Sequence, residues 1–206
     1  MRPYFALPFS SKFHFILENP RKTHRILGVD PGTNIMGYAV IEVQYQPTKL
    51  RLIDIDVLHM KSESEAYLKL KYIFEHIQKV ITEHKPDSMA IEAPFYGKNV
   101  QSMLKLGRAQ GVAIAAAMVK GIEVTEYSPK KIKQSVTGNG NASKEQVAAM
   151  LSTIMQEPLM EQYADATDAL ATAVCHHYQG NSPLSGASKK YNSWEQFAKD
   201  KKDRIK

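Results

Sequence analysis

The chain has very little cysteine and no long apolar run. Cys175 is the single cysteine among 206 residues, so no intramolecular disulfide framework is possible and a reducing compartment fits. The longest strongly apolar stretch, residues 112–119, is far shorter than the roughly 20 residues of a membrane-spanning helix. Pro3 and Pro8 interrupt the basic and apolar N-terminus, and no small-residue cleavage site follows. We therefore expect a soluble, cytoplasmic protein without a targeting signal.

Positive charge is missing from a whole segment. Residues 145–180 contain five acidic residues and no lysine or arginine, whereas residues 98–144 contain eight basic and two acidic residues. The chain as a whole has a net charge of +6. An enzyme acting on a polyanion would use lysines to hold phosphates beside acids that hold a metal. Solvated helix faces and basic tails are the alternative explanation.

The hydrophobic patterns predict one α/β domain. Apolar or alternating runs predict strands at about residues 25–30, 36–45, 49–60, 88–92 and 122–127. Helical periodicity predicts a helix that ends before Pro86 and others over about 100–120, 129–136, 143–158 and 164–178. Capping boxes at Ser62–Glu65 and Ser143–Gln146 predict two of the helix starts. This order indicates a mixed five-stranded sheet with helices on both faces.

Patterning typical of a core is confined to residues 25–179. Residues 1–24 form an N-terminal extension, and residues 180–206 form a basic C-terminal tail. Because both ends lack the apolar periodicity that would bury them, we expect them to be poorly ordered.

Acidic residues occur where predicted core elements end or begin. The first strand ends on Asp30 and a later strand ends on Glu92. Asp165 and Asp168 lie three residues apart in an otherwise apolar helix, so they would share one face. Each acid has an ordinary explanation by itself, as a turn residue, a strand-end residue or a partner of the helix dipole. Their conjunction on three elements is harder to explain as structure.

Buried carboxylates need a cation, and residues 145–180 supply none. A lysine of the basic segment could serve, and so could a divalent metal. Two Mg²⁺ ions about 3.5–4 Å apart can clamp the attacking and leaving oxygens of a phosphodiester displacement. The adjacent His176 and His177 point to different sides of a helix, which disfavours zinc. The four acids match a magnesium site in type and number.

Basic and aromatic residues flank these acids. Lys133 and Lys144 surround the loop at residues 138–142, next to two predicted helix N-termini where anions bind readily. An aromatic pair after Glu92 could stack against an unpaired base, or one ring could pack in the core while the other is exposed. Lysines are most often simply solvated. The candidate contacts to nucleic acid are Phe95, Tyr96, Lys98, Lys130, Lys133 and Lys144.

Four motifs, in chain order, resemble those of the RuvC family of bacterial Holliday-junction resolvases. They read GVDPGTNIMGYAV, AIEAPFYGKNVQSMLKLGRAQGVAIAAA, YSPKKIKQSVTGNGNASKEQV and ADATDALATAVCH, and the resemblance covers about residues 25–178. It implies a ribonuclease H-like fold and a homodimer that makes paired, symmetrical, Mg²⁺-dependent nicks in four-way DNA junctions during recombination and repair. It also implies about two Mg²⁺ ions per subunit, with Mn²⁺ able to substitute, and the branch-migration proteins RuvA and RuvB as partners.

The resemblance also assigns roles to individual residues. Phe95 falls on the aromatic that inserts at the junction centre, and Lys133 and Lys144 fall on basic residues beside the scissile phosphate. The helix from about residue 100 resembles the dimerisation element, and its Gly107 and Gly111 lie on one face and allow close approach. The residues that match the metal-binding, catalytic carboxylates are Asp30, Glu92, Asp165 and Asp168.

Residues 1–24, the Ala93-Pro94 pair before Phe95 and the tail beyond Gly180 depart from the family pattern, and two other function classes stay open. Residues 1–24 precede the first strand, so either a misassigned start or an accessory basic arm is implied. The VDPGT turn also suits the phosphate-gripping turn of actin-like sugar or acyl kinases, although these need two domains around a nucleotide cleft. A non-catalytic DNA-binding module, or a relative acting on ribosomal RNA, would share the fold without cutting junctions.

Overall fold

The structure, a computed structural model, describes residues 23–45, 47–60, 65–94, 99–159 and 166–180. The strands in these ranges are β1 (Thr23–Asp30), β2 (Ile35–Tyr45), β3 (Thr48–His59), β4 (Ser88–Glu92) and β5 (Glu123–Tyr127). The helices are α1 (Ala66–His84), α2 (Val100–Val119), α3 (Pro129–Thr137), α4 (Lys144–Met155) and α5 (Thr167–Gly180). The predicted elements are therefore present, with ends that differ by a few residues.

The strands form one mixed sheet in the order β3-β2-β1-β4-β5. β1, β2 and β3 pair as an antiparallel meander, whereas β4 and β5 run parallel to β1. The carboxyl ends of β1, β3, β4 and β5 consequently lie at the same edge of the sheet. We call this the acid edge, because Asp30 and Glu92 are the last residues of β1 and β4.

Helices cover both faces of the sheet, as the sequence predicted. α3, α4 and α5 pack on one face, and α1 and α2 pack on the other. The alternation of side chains along β1 sets this division. Ile26 and Gly28 face α5, whereas Leu27 and Val29 face α1 and α2. Since every even-numbered position of β1 faces α5, Asp30 projects toward that face as well.

The two predicted capping boxes have different outcomes. In α4 the Ser143 side chain accepts from the Gln146 N–H, and the Gln146 side chain accepts from the Ser143 N–H at 2.9 Å, which confirms that box. The Ser62–Glu65 box is wrong. α1 begins at Ala66 with Glu65 as its N-cap and without a side-chain cap, and Ser62 lies outside the described residues. The Ser-x-x-Glu spacing marks a helix start only where the backbone turns helical directly after the serine. Here the backbone at Glu65 is still extended, at a φ of −84° and a ψ of 118°.

The predicted N-terminal extension and C-terminal tail lie almost entirely outside the described residues. The exceptions are Thr23 and His24, which begin β1, and Gly180, which ends α5. The His24 Nε2 atom lies 3.2 Å from the Ser88 Oγ atom, so β1 extends two residues before the predicted domain start. In the part of the chain that the structure describes, no helix combines the length and apolarity needed to cross a membrane.

Candidate active site

Asp30 and Glu92 lie side by side at the acid edge. Val29 of β1 is in register with Ile91 of the parallel strand β4, so the next residue on each strand is an acid. Side chains at matched positions of parallel neighbours project to the same face, which here is the face covered by α5. Both acids are half-buried. The sequence predicted this juxtaposition on the condition that the two strands were neighbours, and they are.

Helix α5 brings a third acid, Asp168, to the same place. Asp168 lies in the first turn of α5, and α5 rests directly on the backbone of β1 at Gly28. A Cβ atom at Gly28 would overlap the carbonyl oxygen of Ala169 and would lie 2.8 Å from the Ala173 nitrogen. Only glycine permits such close packing of strand and helix. Sequence reasoning missed this role, although a glycine inside a buried strand is its usual signal.

The negative charges of Asp30 and Asp168 act on the carboxyl group of Glu92. Its pKa is raised to about 8, mainly by burial and then by the negative charges of Asp30 and Asp168. Lys144 and Lys133 act in the opposite direction, but they do not restore the ordinary pKa. In the metal-free protein at neutral pH, Glu92 therefore favours its protonated form. Carboxylates this close together repel one another when ionised, so a cation bound between them would stabilise their charged forms.

Lys144 supplies a positive charge to one of these acids. Its Nζ atom forms an ion pair of 2.9 Å with Asp168 Oδ2, and the two side chains are 72% and 27% exposed. The sequence left open whether a lysine from the basic segment or a divalent metal would neutralise the acids of α5. Without metal, a lysine takes that position. Because Lys144 is mostly exposed, its side chain can leave Asp168 without disturbing the core.

The loop between α3 and α4 holds the basic residues near the acids. Gly138 ends α3 in the left-handed conformation, at a φ of 78°. The Asn141 N–H then donates to Asn139 Oδ1 at 3.0 Å, and α4 starts three residues later at Lys144. Lys130 lies against this loop, because a Cβ atom at Gly140 would be 2.7 Å from its Cγ atom. Lys133 is half-buried, whereas Lys130 is exposed.

The acids fit a divalent cation by their chemistry, although they are not closed around one. Among the described residues, no three His, Cys, Asp or Glu side chains converge into a group that could already hold a metal. The predicted fourth carboxylate, Asp165, lies outside the described residues. Carboxylate oxygens are the ligands that Mg²⁺ prefers, and the raised pKa of Glu92 is the shift that a bound cation would reverse.

Several predicted DNA contacts lie outside the described residues. These are Phe95, Tyr96 and Lys98. The structure places the two described residues around them, Pro94 and Asn99, just beyond β4 and just before α2. Asn99 caps α2, because its Oδ1 atom accepts from the Ser102 N–H at 3.1 Å. The segment predicted to carry the aromatic wedge therefore begins next to Glu92.

Comparison with known proteins identifies the family. The sequence profile described as "Crossover junction endodeoxyribonuclease RuvC" matches residues 26–176. The chain belongs to the RuvC family. It is 54% identical to the crossover junction endodeoxyribonuclease RuvC of Cytophaga hutchinsonii over 189 residues, which are 91% of this chain and 92% of that protein.

Solved RuvC structures share the fold. Thermus thermophilus RuvC aligns with a TM-score of 0.69 and 29% identity over 76% of this chain and 95% of that one. T. thermophilus RuvC in complex with a Holliday junction substrate aligns with a TM-score of 0.68 and 26% identity, over 76% of this chain and 94% of that one. The predicted ribonuclease H-like fold and family are thus confirmed. The chain is an endodeoxyribonuclease of a divalent-metal-dependent family, which decides against the kinase and non-catalytic alternatives.

Proposed function

We propose that this chain resolves four-way DNA junctions by paired, symmetrical nicks during recombination and repair. The observation that carries the proposal is that Asp30 and Asp168 lie near enough to Glu92 to raise its pKa, beside a basic loop, in a chain of the RuvC family. A RuvC with the same fold has been solved with a Holliday junction substrate, which supports this choice of substrate. The cytoplasm is the compartment that the single cysteine favours.

The proposed ligands of the metal are Asp30, Glu92, Asp165 and Asp168. We propose about two Mg²⁺ ions per subunit, with Mn²⁺ able to replace them. When bound, the ions supply Lewis-acid activation and positive charge at the reacting phosphate. Glu92 would give up its proton when a cation is held there, and its carboxylate would then help to hold that cation.

Lys144 would exchange partners during the reaction. In the metal-free protein its ammonium group neutralises Asp168. If Asp168 held a cation instead, the Lys144 ammonium group would be able to contact the scissile phosphate, together with Lys133 from α3. Lys98 and Lys130 would contact phosphates farther along the strand, and Phe95 would insert at the junction centre beside Tyr96.

We also propose a homodimer, because paired nicks need two active sites. The surface of α2 that faces away from the core carries Val100, Leu104 and Met118, which are 65%, 54% and 65% exposed. Gly107 and Gly111 lie on the same side, and a Cβ atom at either would meet nothing within 4 Å. The close approach that these glycines allow is therefore not used by any described part of the chain, so a second copy of α2 is the natural occupant. RuvA and RuvB remain proposed partners.

Substrate choice and metal dependence test the proposal together. Purified protein with Mg²⁺ should nick a synthetic four-way junction at symmetrical positions and leave a linear duplex and a structured RNA intact. Asp30→Asn should lower junction cleavage by about 1,000-fold or more, because it removes one metal-binding carboxylate, and should leave junction binding largely intact. Cleavage is measured by denaturing gel and binding by mobility shift.

Two results would contradict the proposal. One is cleavage of the linear duplex or the RNA at the rate of the junction. The other is loss of junction binding by the folded Asp30→Asn variant, which would make this acid structural. Circular dichroism of the variant checks the fold, and light scattering of both proteins checks the proposed dimer.

A further inference from the structure

A second basic surface lies at the acid edge, on the face of the sheet away from α5. A cleft of about 190 Å³ lies between the first turns of α1, the first half of α2 and the turn that joins β1 to β2. We call it the α1–α2 cleft. Among the described residues its lining includes Thr33, Asn34 and Tyr67 but no acidic residue, and its cationic side chains are Lys69, Lys105 and Arg108.

Strand directions place this cleft at the same edge as the acids. α1 follows β3 and α2 follows β4, and both strands end at the acid edge, so the N-terminal halves of both helices lie there. Asn34, four residues after Asp30, forms one wall. Its carbonyl oxygen accepts from the Met60 N–H at 2.7 Å, and its Oδ1 atom accepts from Lys69 Nζ at 2.8 Å. One short turn therefore separates the acids from the cleft.

The positive charge of the cleft is not neutralised by acids of the described residues. None of the ion pairs among those residues includes Lys69, Lys105 or Arg108. α1 has no acidic residue in its first turn, but its N-cap is Glu65, an exposed acid that offsets the positive end of the helix dipole. The positive charge of the cleft therefore comes from its side chains. Three cations in one concave site, without an ion-pair partner in the part of the chain that the structure describes, are suited to an anion with several oxygens, such as a phosphate.

Tyr67 narrows the class of ligand further. It lines the cleft and is 79% exposed, which is a large exposure for an aromatic side chain on a helix. Basic residues combined with an exposed aromatic ring are typical of surfaces that bind single-stranded or unpaired nucleic acid, where the cations hold the backbone and the ring stacks on a base. A free inorganic anion has no base that could stack on the ring.

We propose that the α1–α2 cleft binds a backbone phosphate of the junction, on a strand that crosses the acid edge from the α5 face. This inference rests on the proposed function and deepens it. The cleft gives the enzyme a phosphate contact that lies apart from the carboxylates. DNA that reaches both faces of the sheet at once is bent around its edge, as the branch point of a junction is and a linear duplex is not.

A matched pair of double variants tests the cleft. Lys105→Gln/Arg108→Gln removes two charges from it. Lys79→Gln/Lys120→Gln removes two exposed charges elsewhere, one from the later part of α1 and one from the residue that follows α2. Affinity for a synthetic four-way junction is measured over a series of salt concentrations. The cleft variant should bind about 10-fold more weakly, and the slope of log affinity against log salt should shrink by about 2, whereas the matched variant should stay within about 3-fold of the unchanged protein.

Three results decide the outcome. Equal affinities and slopes for the two double variants would overturn the proposal. So would dissociation of the cleft variant into monomers by light scattering, because assembly would then explain the loss. A weaker, less salt-dependent complex with unchanged mass supports it. Failure of the unchanged protein to cut the junction would contradict the proposed function instead, and the affinity comparison would still report on the cleft.

Discussion

Two glutamates on one sheet have opposite surroundings. Glu42 of β2 is 7% exposed and lies 3.0 Å from Arg25 Nε and 3.6 Å from an Arg51 nitrogen, so arginines of the chain neutralise it. Glu92 of β4 lies among the acids of the acid edge, and its pKa is raised to about 8. A buried carboxylate such as Glu42, which forms ion pairs with arginines of the same chain, can contribute to the stability of the fold. A carboxylate placed among like charges costs stability, which is typical of a functional site.

The largest expected effect separates the two glutamates by their role in cleavage. Glu92→Gln should lower single-turnover junction cleavage by about 1,000-fold or more, because the amide cannot supply a negative oxygen to a cation. Glu42→Gln should keep cleavage near the original rate but lower the free energy of unfolding by about 1–3 kcal/mol, since Arg25 loses its charged partner. Cleavage assays and denaturant unfolding of both variants measure the difference.

Either reversal would break the comparison. If folded Glu42→Gln lost cleavage, the arginine-paired glutamate would belong to the site. If Glu92→Gln cut normally, the raised pKa of Glu92 would have no function. Unfolding of the metal-free Glu92→Gln variant gives a further check, because replacing a carboxyl among like charges by a neutral amide should not destabilise the fold.

A smaller effect on cleavage is expected from replacing Lys144. This lysine neutralises Asp168 as the arginines neutralise Glu42. Lys144→Gln frees Asp168, so the DNA-free protein should bind Mn²⁺ about 3- to 10-fold more tightly, by removal of a competing cation. Junction cleavage at saturating metal should nevertheless fall about 10- to 100-fold, because the scissile phosphate loses a positive partner. Titration calorimetry and single-turnover cleavage report the two effects separately.

Lys131→Gln is the matched control, since Lys131 is exposed on α3 and does not pair with the acids of the site among the described residues. Tighter metal binding without slower cleavage would show that Lys144 only neutralises Asp168. Slower cleavage without tighter metal binding would show that its ion pair with Asp168 does not compete with the metal.

The sequence predicts those features of the fold that depend on a few adjacent residues. The alternation along β1 and the strand-end positions of Asp30 and Glu92 are readable because each depends on a few adjacent residues. The Ser143–Gln146 box is predictable for the same reason, whereas the same spacing before α1 misplaces the start of that helix, because Glu65 is still extended. The register of Val29 with Ile91, which places the acids side by side, is a property of two segments far apart in the chain.

The site is less predictable than the fold because its geometry depends on packing. Gly28 inside a buried strand signals a close contact, but nothing local identifies α5 as its partner, and this contact delivers Asp168 to the edge. The sequence identifies a need for a cation at the acids of α5, yet the choice of Lys144 depends on how the α3–α4 loop folds. The α1–α2 cleft is invisible in the sequence, since its lining comes from three separate segments.

The smallest expected effect is a difference in pH dependence between the two glutamates. The pKa of Glu92 rises from its ordinary value of 4.5 to about 8 in the folded protein. Between these values the folded state holds a proton that the unfolded state has released, so the stability that Glu92 contributes is lost as pH rises through that window. The melting temperature of the metal-free protein should fall by a few degrees more between pH 6 and pH 9 than that of Glu92→Gln.

Glu42→Gln should keep the pH dependence of the unchanged protein, because the titrating carboxyl of Glu92 is still present. Adding Mg²⁺ at pH 9 should raise the melting temperature of the unchanged protein and of Glu42→Gln but not of Glu92→Gln, since the cation takes the position that the proton has left. Parallel curves for the unchanged protein and Glu92→Gln would mean that Glu92 ionises as an ordinary surface acid. A cation at the acid edge would then stabilise Glu92 no more than it would stabilise Glu42, which is already paired with arginines.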